Sequence, residues 1–330
     1  MFSVGVIAPS ECSSITMVGL FDVIGRADRA LGVLEGRPGS NTRFDVKLLG
    51  LDGTPVRYRD RVQVTPDVAA PDVADLDLLV VPGLDDDLDR SFELNREWSG
   101  WIRRWHEAGA TVASSCSGAF LVAEAGVLDG RSATTHWLYA DRMAATYPTI
   151  TVLVDRLLID HGDVITSGGA TTFLDLALYL TERFGGRERA NAAARLLLID
   201  RDRHSQLPYV VPTGSDRNHR DRIVHAVQDL VDQGLGDELR VDELAARVGL
   251  SPRSLGRRCW AALGTTPRAY IRRRRIEQAT RQLETTSASV DMVRRRVGYH
   301  DATSFRRAFK AATGLSPTDY RGRYQWTAPS

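Results

Sequence analysis

The stretch ATVASSCSGAFLVAEAG (residues 110–126) decides the fold of the first part of this chain. Ala110–Ser114 is a short apolar run of strand type, Cys116 stands at a bend, and a helix runs over Gly118–Glu124. A strand that turns sharply through a reactive side chain into a helix aims that side chain at a pocket. The backbone N–H groups after the bend, together with the helix dipole, can lower a thiol pKa or bind an anion. His136, some 20 residues later, is a candidate base or hydrogen-bond partner. A lone cysteine is most often a small core residue; the elbow context and the later histidine favour a pocket-lining Cys116.

Working outward, Ser3–Ala8, Phe44–Leu49 and Leu76–Val81 read as further buried strands. Helical patterns cover Met17–Gly32, Phe92–Ala108 and Thr135–Thr146. A strand pair, Arg156–Asp160 with Val164–Ser167, precedes two helices, Ala170–Phe184 and Arg187–Ile199. Strand–helix alternation with near-continuous apolar strands predicts a parallel sheet covered on both faces. Trp98, Trp101 and Trp105 recur at helical spacing and read as core or dimer-packing residues. The acidic run Asp85, Asp86, Asp87 and Asp89 reads as a solvated loop. With no ligand spacing among His204, His219 and His225, no metal and no cofactor are expected.

The whole chain is 330 residues, long for one domain and comfortable for two. Hydrophobic residues at 43% and charged residues at 26% exclude a wholly disordered or fibrous chain. No apolar run reaches the roughly 18–20 residues that span a bilayer. The start, MFSVGVIAPSE, lacks the pattern of a secretion signal, so a cytoplasmic protein without membrane contact is expected. Three scattered cysteines (Cys12, Cys116, Cys259) make no disulfide framework. The net charge of +1 hides a split: residues 218–330 carry 21 basic against 12 acidic side chains, and residues 1–217 carry 22 against 30. Such asymmetry points to a nucleic-acid-binding module attached to something else.

Residues 204–217, HSQLPYVVPTGSDR, have the composition of a linker between domains at 1–203 and 218–330. Beyond it the pattern is all helix. In VDELAARVGLSPRSLGRRCWAAL (241–263), Asp242 and Glu243 favour a helix start, Ala245 allows close helix approach and Gly249 supplies a turn. Ser251 caps the next helix, with Pro252 at its first position. That helix buries Leu255, Cys259 and Leu263 and exposes Arg253, Gly256 and Arg257. This is helix-turn-helix layout, whose second helix meets base edges in the major groove. Val290–Lys310 repeats it around Gly298, with a helix from about Asp301 that buries Phe305 and Phe309 and exposes Ala302, Thr303, Arg306 and Arg307. GTTPRAY (264–270) and GLSPTDY (314–320) punctuate the two copies.

Through LAARVGLSPRSLGRR, GTTPRAYIRRRRIEQA, VGYHDATSFRRAFK and GLSPTDYR, residues 218–325 resemble the AraC/XylS family of transcription regulators. The resemblance implies two helix-turn-helix units joined by a long helix, about Pro267–Leu283, that read successive major grooves. By position it implies base-reading roles for Arg253, Gly256 and Arg257, and for Thr303, Arg306 and Arg307. Gly256 has no side chain with which to read a base, and Trp260 stands where a basic residue is frequent. Arg294 replaces a usual small alanine, which argues against close packing of the second unit. Arg272, Arg273 and Arg274 are either phosphate contacts or a solvated face.

Through LDLLVVPGL, SSCSGAFLVAEAGVLDGRSATTHW and VITSGGATTFLDLALYL, residues 1–200 resemble the PfpI/ThiJ superfamily, with its class I glutamine-amidotransferase-like fold. The variant is similar to the sensor domains fused to AraC-type DNA-binding domains. The resemblance places Gly83 beside the cysteine elbow and makes His136 the pocket histidine. The acid of active relatives does not carry over: Thr16 falls at its position, and Glu11 comes too early. A pocket formed by Thr16, Gly83, Cys116, Ser117 and His136 would then bind a ligand without catalysis.

The fold expected is a flavodoxin-like α/β domain followed by an all-α domain with two helix-turn-helix units. The function expected is a DNA-binding transcription regulator, with activator versus repressor left open by the sequence, responsive to a small nitrogenous metabolite or carboxylate. Its partners would be double-stranded promoter DNA, the effector, a second copy bound through the first domain, and RNA polymerase. A cysteine-dependent hydrolase or hydratase with an accessory DNA-binding domain is the alternative, favoured by a carboxylate reaching Cys116 or His136. A scaffold that only dimerises is a third reading, favoured by a pocket filled with side chains.

Overall fold

The computed structural model describes residues 1–40, 42–58, 62–210 and 217–325. The chain divides into a first unit, Met1–Gln206, and a second, Leu207–Ser330. Residues 211–216, within the linker expected over 204–217, lie outside the described residues.

The strands of the first unit are β1 (Phe2–Ile7), β2 (Phe44–Gly50), β3 (Val56–Tyr58), β4 (Val62–Val64), β5 (Val68–Ala69), β6 (Leu78–Val81), β7 (Thr111–Ser115), β8 (Ser132–Ala133), β9 (Thr151–Val152), β10 (Leu158–Asp160) and β11 (Val164–Ser167). Seven of them form one sheet in the order β10-β11-β7-β6-β1-β2-β5. All neighbours are parallel except β10 and β11. Val4 sits between Val46 of β2 and Leu78 of β6, and Leu79 faces Val112 of β7. The helices are α1 (Ser14–Leu34), α2 (Leu88–Asn95), α3 (Trp98–Glu107), α4 (Ala119–Glu124), α5 (Ala140–Thr146), α6 (Thr172–Leu180) and α7 (Arg187–Leu196).

Alternate side chains of a strand point to opposite faces, so both faces of this sheet build a core. Leu79, Val81 and Val112 pack with Trp98, Ile102 and Trp105 of α3 and Leu121 of α4. Leu78, Val80 and Ala113 pack with Leu20 and Ile24 of α1 and Phe173 and Leu176 of α6. Trp98 and Trp105 are core residues, while Trp101 is half-buried at the edge of that core.

Two expected helices differ. Phe92–Ala108 is split into α2 and α3. Asn95, at the end of α2, is buried and held to the loop after β1: Ser10 N–H donates to its Oδ1 at 2.8 Å and its Nδ2 donates to Ser10 O at 2.5 Å. The helix expected over Thr135–Thr146 becomes a single turn at Trp137–Tyr139 followed by α5. Thr134 and Thr135 are drawn away into hydrogen bonds with Arg156 O (2.9 Å) and Cys116 O (2.8 Å).

The second unit contains α8 (Arg222–Gln233), α9 (Val241–Arg247), α10 (Pro252–Leu263), α11 (Pro267–Thr285), α12 (Val290–Arg296), α13 (Ala302–Thr313) and α14 (Pro317–Tyr324). Ser251, Thr266, Ser289, Asp301 and Ser316 each cap a following helix through a side-chain oxygen. The turns after α9 and α12 pass through Gly249 (φ 68°) and Gly298 (φ 76°), conformations that favour glycine. There are two small cores. Tyr270 and Ile271, early in α11, join Val224, Val227, Leu244, Ala245, Leu255 and Cys259. Ile276, Ala279 and Leu283, later in α11, join Val293, Val297, Phe305, Phe309 and Tyr320. The long helix therefore belongs to both helix-turn-helix units.

Arg294 corrects the expectation of poor packing in the second copy. Its side chain is only 9% exposed. The guanidinium donates to the backbone oxygens of Tyr299 and His300 in the turn and, at 2.7 and 2.9 Å, to Asp291 Oδ1. The arginine takes the place of a small residue by closing the turn itself. Among the described residues, no helix is long and apolar enough to cross a membrane, and no group of side chains could hold a metal ion.

Candidate functional site

The parallel strands present their carboxyl ends to one edge of the first unit. Between β1 and β6 the chain changes direction across the sheet, the place where α/β folds bind ligands. Cys116 follows β7 beside that point, with φ 56°, a strained value for a residue other than glycine. Its N–H donates to Gly168 O at 3.0 Å, and its carbonyl accepts from Thr135 Oγ1. These bonds to two other loops hold the bend.

Gly83 lies against this bend. A Cβ there would come within 3.0 Å of Cys116 Cβ and 3.5 Å of Sγ, so a larger residue would crowd the cysteine. Thr16 Oγ1 accepts from Gly83 N–H at 3.0 Å and donates to Ser13 O. Ser117 Oγ accepts from Leu84 N–H at 2.9 Å and lies 3.9 Å from Cys116 Sγ. Both hydroxyls are thus engaged in fixing the Gly83–Leu84 loop around the cysteine. Gly169 packs against His136, where a Cβ would overlap the imidazole at 1.8 Å from Cδ2. The structure brings Thr16, Gly83, Cys116 and Ser117 together, and places His136 against Gly169.

The electrostatics differ from the sequence expectation. N–H groups of Ser117 and Ala170 do favour the thiolate, but burial outweighs them and pushes the Cys116 thiol above its ordinary value; the Asp86 carboxylate adds to the rise. Burial lowers the pKa of His136, with Asp86 opposing. His136 Nδ1 accepts from Leu138 N–H at 3.1 Å, which leaves the hydrogen of a neutral ring on Nε2. Among the described residues no hydrogen bond joins His136 to Cys116. The rings of Trp137 and Tyr139 stand 5.3 and 5.8 Å from the imidazole. Burial thus favours the neutral form of both the Cys116 thiol and the His136 imidazole.

Sequence reasoning missed three contributors. Asp86, within the run read as solvated, biases both Cys116 and His136. Ala170, with φ 45°, supplies an N–H to the thiol. Gln206, within the stretch read as linker, is buried; its Nε2 donates to Thr135 O at 2.8 Å and Thr134 Oγ1 at 3.1 Å, and its Oε1 accepts from Trp137 N–H at 3.1 Å. It thereby braces both flanks of His136. Nothing in its local composition signals this. A separate cleft of about 350 Å³ lies at the ends of β1 and β2, lined by Ser10, Glu11, Asp52, Arg57 and Trp98.

In the second unit, Arg253 and Arg257 of α10 and Thr303, Arg306 and Arg307 of α13 are all exposed. Nothing lies within 4 Å of where a Cβ of Gly256 would stand. Trp260 continues the α10 face at 63% exposure. Among the described residues, none of these four arginines has an ion-pair or hydrogen-bond partner. Other arginines are engaged in the fold: Arg258 pairs with Asp221 at 2.9 Å and Arg274 with Asp232 at 2.8 Å. Arg273 is exposed, with its guanidinium over the Tyr270 ring and 3.7 Å from Glu277, so of the run 272–274 two members have partners within the fold.

Comparison with known proteins gives two family matches. The DJ-1/PfpI family model matches residues 4–183, and a helix-turn-helix domain model matches residues 244–323. The chain is 28% identical to the HTH-type transcriptional regulator GbdR of Pseudomonas aeruginosa, over 83% of this chain and 73% of that protein. It is 31% identical to isonitrile hydratase of Pseudomonas putida, over 44% of this chain and 61% of that enzyme. A crystal structure of a protein from Vibrio parahaemolyticus described as a transcriptional regulator superposes with a TM-score of 0.51. It covers 59% of this chain and 98% of its own at 19% identity, a likeness of fold.

Proposed function

From a chain that belongs to the DJ-1/PfpI family over residues 4–183 and carries a helix-turn-helix domain over 244–323, we infer a ligand-responsive transcription regulator of the AraC type. The observation that carries this reading is the set of four uncompensated arginines, Arg253, Arg257, Arg306 and Arg307, on matching faces of two recognition helices. Arginines with protein partners fix a fold; arginines left without them suit phosphate oxygens or guanine edges. Thr303 and the bare backbone at Gly256 complete the base-facing surface. The relative GbdR, named a transcriptional regulator, matches across most of this chain.

The effector site is the corner at Cys116 and His136, bounded by Gly83 and by the loop that Thr16 and Ser117 hold. A neutral thiol and a ring Nε2–H suit a small carboxylate or amide, including nitrogenous metabolites. The effector acts by binding one arrangement of a homodimer, paired through the first unit, better than another. RNA polymerase is the further partner at the promoter, and the protein works in the cytoplasm.

The competing reading, a cysteine-dependent hydrolase or hydratase, is supported by the partial match to isonitrile hydratase. Against it stand a thiol that burial keeps protonated and the missing bond to His136.

The test is selection of bound duplexes from a random pool by the full-length protein at stated salt, with its own upstream region included. Enrichment of one motif spanning two major-groove turns supports the regulator. Retention that only tracks salt, without a motif, overturns it.

A further inference from the structure

The two helix-turn-helix units meet at a junction that neither motif explains. Arg275, near the middle of α11, extends its guanidinium between them. Its Nη2 donates to Asp237 O at 2.7 Å, in the loop that follows α8. Its Cζ lies 5.8 Å from the centre of the Tyr299 ring, in the turn of the second unit. The backbones on either side are in close contact. A Cβ at Gly298 would come within 2.6 Å of Leu235 O and 2.7 Å of Arg275 Nη2. A Cβ at Gly236 would come within 2.9 Å of Arg296 O. Leu235 packs against the first core and Val297 lies in the second, so this contact joins the two.

The arginine is a costly way to fill the space. Its Nε is buried and, among the described residues, has no hydrogen-bond partner. Burial depresses its pKa below the ordinary arginine value. A half-buried guanidinium with one buried nitrogen left unpartnered is weak support for stability, and an apolar side chain of similar length is often as stable or more so. What the guanidinium supplies is geometry: a planar group that bonds one unit and stacks on the other at the same time.

We propose that Arg275 is a positioning residue that fixes the offset between recognition helices α10 and α13, so that both enter successive major grooves in one register. This rests on the DNA-binding reading above. Successive major grooves recur about every 34 Å, and one base pair changes the rotation by roughly 34°. A rigid junction therefore makes binding sensitive to the spacing between two half-elements, and a loosened one does not.

The experiment uses the full-length protein and the duplex that it enriches from a random pool. Derivatives carry one base pair inserted or removed between the half-elements, or one half-element scrambled. For the unaltered protein, a one-base-pair change should lower affinity by about tenfold or more. For Arg275→Met, affinity for the intact duplex should fall roughly 10- to 100-fold, since two linked contacts gain that much or more from preset geometry. Its spacing dependence should flatten to within about twofold, and its affinity for duplexes with one half scrambled should stay unchanged. Gly236→Ala pushes a methyl onto the Arg296 carbonyl from the other side of the junction. It should flatten the spacing profile in the same way, which covers the case of an Arg275→Met variant that melts early. Sharp spacing dependence retained in both variants overturns the proposal while leaving the DNA-binding reading intact. Failure of the unaltered protein to enrich any duplex overturns the DNA-binding reading itself, and the proposal with it.

Discussion

Replacing Arg294 by alanine, the small residue its position would suggest, should damage the protein. The side chain is nearly buried, and its guanidinium closes the turn of the second helix-turn-helix by bonding the Tyr299 and His300 carbonyls. Each such bond from a charged donor contributes roughly 1.5 kcal/mol or more. The Asp291 carboxylate is about half exposed, so that ion pair adds at most about 1 kcal/mol. The expected loss is about 3–4 kcal/mol, confined to the second core. The full chain has two units and does not unfold as one, so a global melting point is a poor readout. Amide hydrogen exchange followed peptide by peptide is the better assay. Peptides over residues 290–313 should exchange roughly 100-fold to several hundred-fold faster in Arg294→Ala, because each 1.4 kcal/mol is a factor of ten. Peptides over residues 241–263 should be unaffected. Unchanged exchange over 290–313 would show that the arginine contributes nothing to the turn, and equal acceleration of both regions would show that the two cores do not act separately.

Arg257→Ala should cost about 1–3 kcal/mol at one base position and relax the preference there; uniform weakening on every sequence would make Arg257 a phosphate contact. The Cys116 thiol, pushed up by burial, should react slowly with iodoacetamide at neutral pH, with a rate still climbing beyond pH 9.0. A rate that levels off below pH 7 would reveal an activated thiolate and favour the hydrolase reading. His136 is held neutral, with its pKa lowered in the fold, so its contribution to stability is present above the ordinary 6.5 and lost as pH falls through the depressed value. His136→Asn keeps an acceptor for Leu138 N–H and should flatten the loss of first-unit stability, read by hydrogen exchange, as pH falls below about 6.5. An unchanged slope would mean that the imidazole is not shielded.

What was legible in the sequence is what neighbouring residues decide. The elbow at Cys116 is a strand, a bend and a helix within 15 residues, and both helix-turn-helix copies announce themselves through Gly249 and Gly298, capping residues and repeated apolar spacing. Those signals are local, because helix caps and positive-φ turns act over three or four residues. What escaped was decided at a distance. The break between α2 and α3 depends on Asn95 reaching Ser10, 85 residues away. Gln206 braces Thr135 from 71 residues away. The thiol's protonation was a contest between N–H groups, visible at the bend, and burial, which is a property of the packed core. Arg294 looked like an intruder because its pattern position calls for a small residue. A long polar side chain can also close a turn when two carbonyls face it.

The central claim is that this chain reads DNA sequence through two recognition helices. The most direct measurement is the affinity of the full-length protein for its enriched duplex against the same duplex scrambled, at one fixed physiological salt concentration. Specific binders typically favour their site by about a thousandfold or more. The expected ratio is of that order, falling toward one when Arg253 and Arg257 are both changed to alanine. A ratio near one for the unaltered protein, with equal salt dependence on both duplexes, would contradict it.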